Sequence, residues 1–245
     1  MSEAQGVASR TDDGGKPWGL WPTVGFGVLV VALWIAVQGI ATVILAGGGA
    51  KKSDAFAQGW IVAWAAIASA PIAVGAAVLL ASVRKGISVA AYLGLAWPRA
   101  PQALRWSLIL LGLIVASDLL SLALGRSVVP EPMIPVYLTA GSLPIFLLGI
   151  VVAAPLAEEF LFRGFLFAGV VNSRLRPSGA IGLTALAWGI LHFQYDFYGI
   201  ATVAVTGILL GLIRWRTGSL WLCVMLHGLM NVVATGEVMF ILSRR

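Results

Sequence analysis

The chain has 245 residues, of which 60% are hydrophobic and 11% are charged, and its mean hydropathy is +0.96. Ordinary soluble domains carry about 25% charged residues, so this composition excludes a typical water-soluble fold. The net charge of +6 comes from scattered lysines and arginines, which form no basic patch suited to nucleic acid. The composition therefore indicates a membrane protein.

Long apolar runs predict an all-α fold, a polytopic transmembrane helical bundle of about seven to eight membrane helices. A helix needs roughly 20 apolar residues to cross the hydrocarbon core, and the alternating segments of a transmembrane β-barrel are missing from the sequence. The predicted helices cover residues 22–46, 59–83, 103–124, 143–172, 178–193, 199–213 and 219–242. With no soluble domain or internal repeat, residues 21–245 form a single predicted transmembrane domain.

Polar segments separate the predicted helices. Residues 1–20 lack the apolar centre of a cleavable signal peptide, and we expect a disordered cytoplasmic tail followed by an uncleaved insertion signal in the first helix. Residues 84–101 predict an interfacial loop with a short surface helix anchored by Tyr92 and Trp97. Residues 214–218 are expected to form the last basic loop.

The positive charges predict the orientation of the bundle. Ten lysines and arginines fall on the side of the N-terminus and five on the opposite side, with Arg163 left out as buried. Cytoplasmic loops carry the excess of positive charge, so the N-terminus is expected in the cytoplasm of a multi-pass protein of the cell membrane.

The fourth predicted helix contains an unusual cluster of charge. Glu158, Glu159 and Arg163 interrupt a run that is otherwise almost wholly apolar, and Pro155 precedes them. A charge at the centre of a bilayer costs roughly 2.5–3.5 kcal/mol, so such a cluster is a candidate functional site. The proline is expected to free a carbonyl one turn earlier and to bend the helix where the carboxylates begin.

Spacing suggests different roles for the two carboxylates. Glu159 and Arg163 are four residues apart, which places them on one helix face as a structural ion pair. Glu158 points about 100° away and is left free to serve as a general base. The alternative is that both acids form salt bridges with Arg163 or with another helix.

The two histidines of the chain, His192 and His227, both fall in predicted membrane helices. His227 and Asn231 are four apart on one face, and the Asn231 amide can donate to a developing oxyanion. Glu158 with His192 can deprotonate a water molecule, while His227 with Asn231 polarises the attacked carbonyl. These four residues are the smallest set of groups that amide hydrolysis without a covalent nucleophile requires.

Other chemistry remains open on the sequence. Glu158, His192 and His227 are ligand types of a catalytic Zn²⁺ site, although no H-E-x-x-H spacing enforces coordination. The cofactor is therefore predicted as Zn²⁺ or none. The lone Cys223 is typical of a small buried apolar residue, and Ser219 is typical of a helix cap.

These residues resemble the signatures of the CPBP intramembrane protease family, which includes type II CAAX prenyl endopeptidases and bacteriocin self-immunity proteins. Residues 158–164 resemble the E-E-x-x-x-R signature, and residues 188–192 are similar to the second signature, with Trp188 at a position that is most often Phe. The stretch from Gly207 to Asn231 resembles the remaining signatures, which end in H-x-x-x-N. The protease-like core covers about residues 143–242.

The resemblance implies an intramembrane endopeptidase. It implies that Glu158 and His192 activate water, that His227 and Asn231 stabilise the oxyanion, and that Glu159 and Arg163 support the site. Tryptophan at position 188 is expected to change the shape of the substrate groove and not the chemistry. The expected partners are the lipid bilayer and a membrane-associated or lipidated peptide, and no nucleic acid.

Two other classes of function use the same residues. A non-catalytic membrane scaffold or bacteriocin self-immunity protein would bind a partner through the polar pocket. A proton-coupled carrier would use Glu158 and Asp118 as relay groups, but the polar residues cluster at one site and do not line a path.

Overall fold

The structure, a computed structural model, describes residues 15–47 and 55–244. Within these residues it contains nine α-helices and no strand, which confirms the predicted all-α fold. The helices are α1 (Leu20–Ala46), α2 (Gly59–Ser82), α3 (Val89–Leu93), α4 (Ala100–Ala123), α5 (Met133–Leu138), α6 (Leu143–Val171), α7 (Arg176–Ile190), α8 (Phe197–Thr217) and α9 (Leu220–Leu242).

Six helices are long and apolar enough to cross a membrane, namely α1, α2, α4, α6, α8 and α9. The helix α7 has 15 residues and lies between two of them in the chain. The protein is therefore a multi-pass membrane protein, and its six candidate spans are roughly consistent with the seven to eight that were predicted. Most of the predicted tail at residues 1–20 and the predicted turn at residues 51–54 lie outside the described residues.

The helix α6 lies at the centre of the bundle. Half of its most apolar window is buried, against 17% of the corresponding windows of α1 and α4. It packs against α2 and α9. The buried face of α2 consists largely of alanines, which let two backbones approach closely in a membrane. These alanines are Ala63, Ala65, Ala66, Ala70, Ala73, Ala77 and Ala81.

Two widened turns interrupt α6. Residues Leu148–Ala153 and Phe160–Leu166 are π-helical, and the α-helical turn Ala154–Glu159 lies between them. Each π turn changes the direction in which the following side chains point, and such turns are frequent at functional sites. Both glutamates of the sequence cluster are therefore presented from the segment between two local distortions.

Two predicted boundaries near the site were wrong. The helix α7 ends at Ile190, so His192 lies beyond the helix in which it was predicted. The helix α8 continues to Thr217 and ends at Gly218, which has a φ of +69°, so the predicted basic loop at residues 214–218 is mostly helix. Arg214 is buried, and its Nε–H donates to the carbonyl oxygen of Arg163 at 2.9 Å.

The short helix predicted between the second and third spans is present as α3, but one of its anchors was wrong. Tyr92 is 1% exposed and stacks on Phe165 with ring centroids 5.7 Å apart, so it belongs to the core and not to the membrane surface. Trp97 is 73% exposed and stacks on Trp221 at 5.2 Å.

The helices α7 and α8 form a closely packed antiparallel pair. At Gly207 of α8, a Cβ atom would lie 3.0 Å from the Cα of Ala185 and 3.0 Å from the indole ring of Trp188. A glycine at such a contact lets two helix backbones approach closely in a membrane. The contact also holds the ring of Trp188 against the α8 backbone.

Candidate active site

The ion pair predicted inside α6 is present and fully buried. Arg163 Nη1 donates to Glu159 Oε1 at 2.8 Å, and both side chains have an exposure of 0%. Glu158 lies on a different face of the helix and retains 13% of its side-chain exposure. The two adjacent carboxylates therefore have different surroundings, as the spacing predicted.

His227 of α9 lies between the two carboxylates. Its Nδ1 is 2.9 Å from Glu159 Oε1, and its Nε2 is 3.9 Å from Glu158 Oε2. A carboxylate only accepts hydrogen bonds, so Nδ1 carries the hydrogen that is donated to Glu159. Glu159 thus orients the imidazole and directs its Nε2 towards Glu158.

Arg163 joins three helices at the floor of the site. Its Nη2 donates to the carbonyl oxygen of Gly207 at 3.2 Å, and its guanidinium lies over the ring of Trp188 at 4.7 Å. Arg163 bonds to Glu159, which in turn bonds to His227, so the same network reaches α9.

 

The guanidinium bonds to Glu159 of α6 and to the backbone of α8, and Glu159 also bonds to His227 of α9. These buried hydrogen bonds therefore fix the relative positions of the three helices.

Trp188 of α7 lies at the centre of the arrangement, and its indole N–H donates to Glu158 Oε2. Its ring is 1% exposed and meets the imidazoles of His192 and His227 edge-on, with centroids 5.1 Å apart in each case. We expected tryptophan at this position to affect only the shape of the substrate groove. The indole nitrogen also bonds directly to the candidate general base, a contact that this expectation did not include.

His192 is placed just beyond the end of α7. Its Nδ1 is 2.9 Å from the carbonyl oxygen of Trp188, which accepts the hydrogen and leaves Nε2 available to another group. The hydrogen bond that Glu158 accepts comes from Trp188, one turn before His192. The indole therefore lies between the carboxylate and the histidine that were expected to act together on a water molecule.

Tyr195 is a site residue that sequence reasoning missed. Its ring stacks on His192 with centroids 6.0 Å and planes 23° apart, in the loop between α7 and α8. Burial raises the pKa of Tyr195, and the negative charge of Glu158 raises it further. The phenol therefore remains protonated at neutral pH. The sequence shows that Tyr195 follows His192 by three residues, but it does not predict the loop conformation that stacks the phenol on the imidazole.

Asn231 lies on α9 one turn after His227, as predicted, and its Nδ2 donates to the carbonyl oxygen of Ile150 at 2.6 Å. In a π turn this carbonyl would accept from residue 155, which is a proline without an N–H. Asn231 thus satisfies the carbonyl that Pro155 leaves free. One amide hydrogen is used in this way, and the second remains for another acceptor.

Gly228 allows α9 to approach the π turn of α6. A Cβ atom here would lie 2.8 Å from the carbonyl oxygen of Val151, which is too close for an ordinary contact. We expect Gly228→Val to separate the helices, to lengthen the Asn231 contact and to lower the free energy of unfolding by about 1–3 kcal/mol. Thermal unfolding in detergent would measure this loss.

Gly236 provides the matched control for that substitution. It lies on the same helix, and nothing would fall within 4 Å of a Cβ at its position. Gly236→Val should leave the unfolding temperature nearly unchanged, and equal losses in the two variants would contradict the close-approach argument.

The zinc alternative has no preformed set of ligands among the described residues. No three side chains of histidine, cysteine, aspartate or glutamate converge there as a metal site. The Nδ1 of His227 is engaged with Glu159 and the Nδ1 of His192 with the carbonyl oxygen of Trp188, which leaves the Nε2 atom of each ring as the one that could bind a metal. No step below uses a metal. Zinc dependence stays a prediction.

An open apolar groove of about 480 Å³ lies between α6 and α9. Its walls include Leu156, Met225 and Leu229. Gly228, which directly follows His227 in the chain, also lines it, whereas Glu158, His192, His227 and Asn231 do not.

Residues 140–233 match the family model described as Rce1-like, type II CAAX prenyl endopeptidase Rce1-like. All six residues predicted for the site and its support lie inside the matched stretch, and the match confirms the resemblance that the motifs indicated. No curated protein and no solved structure matches the chain.

Proposed function

We propose that this chain, whose residues 140–233 match the Rce1-like family model, hydrolyses a peptide bond near the membrane face. The observation that carries the proposal is the placement of Glu158. Its carboxylate accepts from Trp188, lies 3.9 Å from the Nε2 of His227 and keeps partial exposure in a buried polar site. A carboxylate beside a free imidazole nitrogen is suited to general acid–base catalysis.

The charge balance of the site supports a mobile proton. Glu158, Glu159 and Arg163 together carry one net negative charge when all three are ionised. One additional proton, carried by Glu158 or by His227 Nε2, brings the total to zero, which is favoured away from water. Glu159 keeps the imidazole in place while that proton moves, because its own bond is to the opposite ring nitrogen.

In the proposed reaction, Glu158 accepts a proton from a water molecule whose oxygen bonds to the scissile carbonyl carbon. The carbonyl oxygen becomes an oxyanion, which accepts hydrogen bonds from His227 Nε2–H and from the second amide hydrogen of Asn231. Glu158 then gives its proton to the amide nitrogen as the C–N bond breaks. The products are a carboxylic acid and an amine, with no covalent enzyme intermediate.

His192 has a supporting part in the proposal. Its Nε2 is available, since Nδ1 bonds to the carbonyl oxygen of Trp188, and its ring meets Trp188 edge-on, as that of His227 does. From there it can hold the attacking water or the substrate backbone. The phenol of Tyr195 stacks over it and limits how far the ring can turn.

A hydrophobic or lipidated peptide is the proposed substrate. The apolar groove between α6 and α9 supports this choice, because Gly228 in its wall directly follows His227 in the chain. Cleavage of a prenylated CAAX-type C-terminus fits the family description, as does a membrane peptide without a lipid. We place the enzyme in the cell membrane with its N-terminus in the cytoplasm, on the charge distribution of the loops.

Comparison of membrane peptides in cells that carry the wild type or Glu158→Ala would test the function. We expect fragments with new C-termini in the wild type and accumulation of their intact precursors in the variant, measured by mass spectrometry. Identical peptide profiles at equal protein levels would contradict the protease. A phenotype that survives Glu158→Gln would instead favour the scaffold or immunity protein.

A further inference from the structure

We propose that Trp188 is a positioning residue that holds the Glu158 carboxylate in its working orientation. This inference rests on the proposed function and adds a residue to its machinery. The contact that carries it is the hydrogen bond from the indole nitrogen to Glu158 Oε2. It joins α7 to α6 at the one carboxylate of the cluster that retains exposure.

The hydrogen bond restrains one oxygen of Glu158 and leaves the other free. An indole nitrogen only donates, so it binds the carboxylate without competing with it for a proton. Hydrogen bonds to ionised acceptors are also stronger than neutral ones, which favours a single rotamer of the glutamate. The carboxylate is thereby held near His227, with Oε1 available to a water molecule.

The ring of Trp188 fixes the spacing of the remaining polar groups. Both imidazoles meet it edge-on at 5.1 Å, and the guanidinium of Arg163 lies over it at 4.7 Å. Gly207 supports the ring from α8, where a Cβ atom would come within 3.0 Å of it. These contacts restrain the indole on several sides, and they thereby restrain the carboxylate that it binds.

A second buried tryptophan shows a bonding pattern without this feature. Trp34 is 7% exposed, and its indole nitrogen donates to the hydroxyl oxygen of Ser69 at 3.1 Å, away from the acidic cluster. A hydroxyl is enough to satisfy a buried indole. Trp188 differs because its acceptor is the candidate general base, and Trp34 therefore supplies a matched control.

The kinetic test compares Trp188→Phe with Trp34→Phe. It uses purified protein in vesicles and, as substrate, a hydrophobic peptide that the wild type cleaves. Trp188→Phe keeps an aromatic ring and loses the donor, so we expect kcat to fall about tenfold or more with KM within about twofold. Trp34→Phe should change neither constant. An unchanged kcat in Trp188→Phe, or parallel losses of kcat and thermal stability in both variants, would overturn the proposal.

A spectroscopic test follows the hydrogen bond without needing catalysis. In protein labelled with ¹⁵N-tryptophan, the indole resonance that disappears in Trp188→Phe should shift in Glu158→Gln, because the neutral amide is a weaker acceptor. It should not shift in Glu237→Gln, an equivalent change elsewhere in the bundle. A resonance insensitive to Glu158→Gln would contradict the positioning role.

The two tests separate the inference from the function on which it rests. If the wild type cleaves no peptide, the proposed function fails, whatever the indole resonance does. If the wild type cleaves but the Glu158 substitution leaves that resonance in place, the function stands and the role of Trp188 falls.

Discussion

Glu158→Gln is expected to lower kcat for peptide cleavage by about 10²- to 10⁴-fold, the usual contribution of a general acid–base group. Glutamine keeps the length of the side chain, and its carbonyl oxygen can still accept from the indole of Trp188. It cannot take a proton from water. The loss should therefore appear in kcat with little change in KM, measured by initial rates in vesicles against a hydrophobic peptide.

Two further variants sharpen this result. Glu158→Asp keeps a carboxylate that is shorter by one methylene group, so it should retain more activity than Glu158→Gln. Glu237→Gln removes an acid from α9 at ten residues from His227 and should leave the rate unchanged. Full activity in Glu158→Gln would show that the proton goes elsewhere, and it would remove the main support for hydrolysis at this carboxylate.

Local spacing predicted the interactions within one helix. Glu159 and Arg163 are four residues apart, and they form the pair that the helical period requires. The same reasoning placed Glu158 on another face, where the structure has it. Among the described contacts Arg163 pairs with Glu159 and not with Glu158. Both acids lie within 4.0 Å of His227 on α9, so the alternative that both pair with another helix stays open.

Contacts between distant parts of the chain were beyond sequence reasoning. Glu159 and His227 are 68 residues apart, and Trp188 and Glu158 are 30 apart. Helical period states which face a residue occupies, but not the rotation of that helix against its neighbours. The aromatic side chain four residues before His192 was visible in the sequence, while the direction of its N–H depended on how α7 packs against α6.

The two π turns of α6 were also not predictable from the sequence. A proline indicates that a carbonyl loses its partner, which correctly marked the region around residue 150. It does not show whether the helix bends, or widens into π turns and takes an amide from another helix. In the structure the amide of Asn231 donates to the carbonyl oxygen of Ile150. A residue that was expected to serve only the oxyanion therefore also stabilises the helix that carries Glu158.

Glu159→Leu is expected to lower the free energy of unfolding by about 3–5 kcal/mol, because it leaves the guanidinium of Arg163 buried without its carboxylate. Both side chains have an exposure of 0%, so water cannot replace the lost partner. Denaturation in mixed detergent micelles would measure the loss. Arg126→Met is the control, since its ion pair with Asp196 is largely exposed and should contribute far less.

The double variant Glu159→Leu with Arg163→Met separates stability from catalysis. Removing both charges eliminates the uncompensated guanidinium, so the double variant should recover most of the stability lost in Glu159→Leu. Cleavage should not recover, because the Nδ1 of His227 has lost the acceptor that directs Nε2 towards Glu158. Recovery of both properties would show that Glu159 is only half of a structural ion pair. Recovery of stability alone would show that one carboxylate both neutralises a buried arginine and orients the histidine.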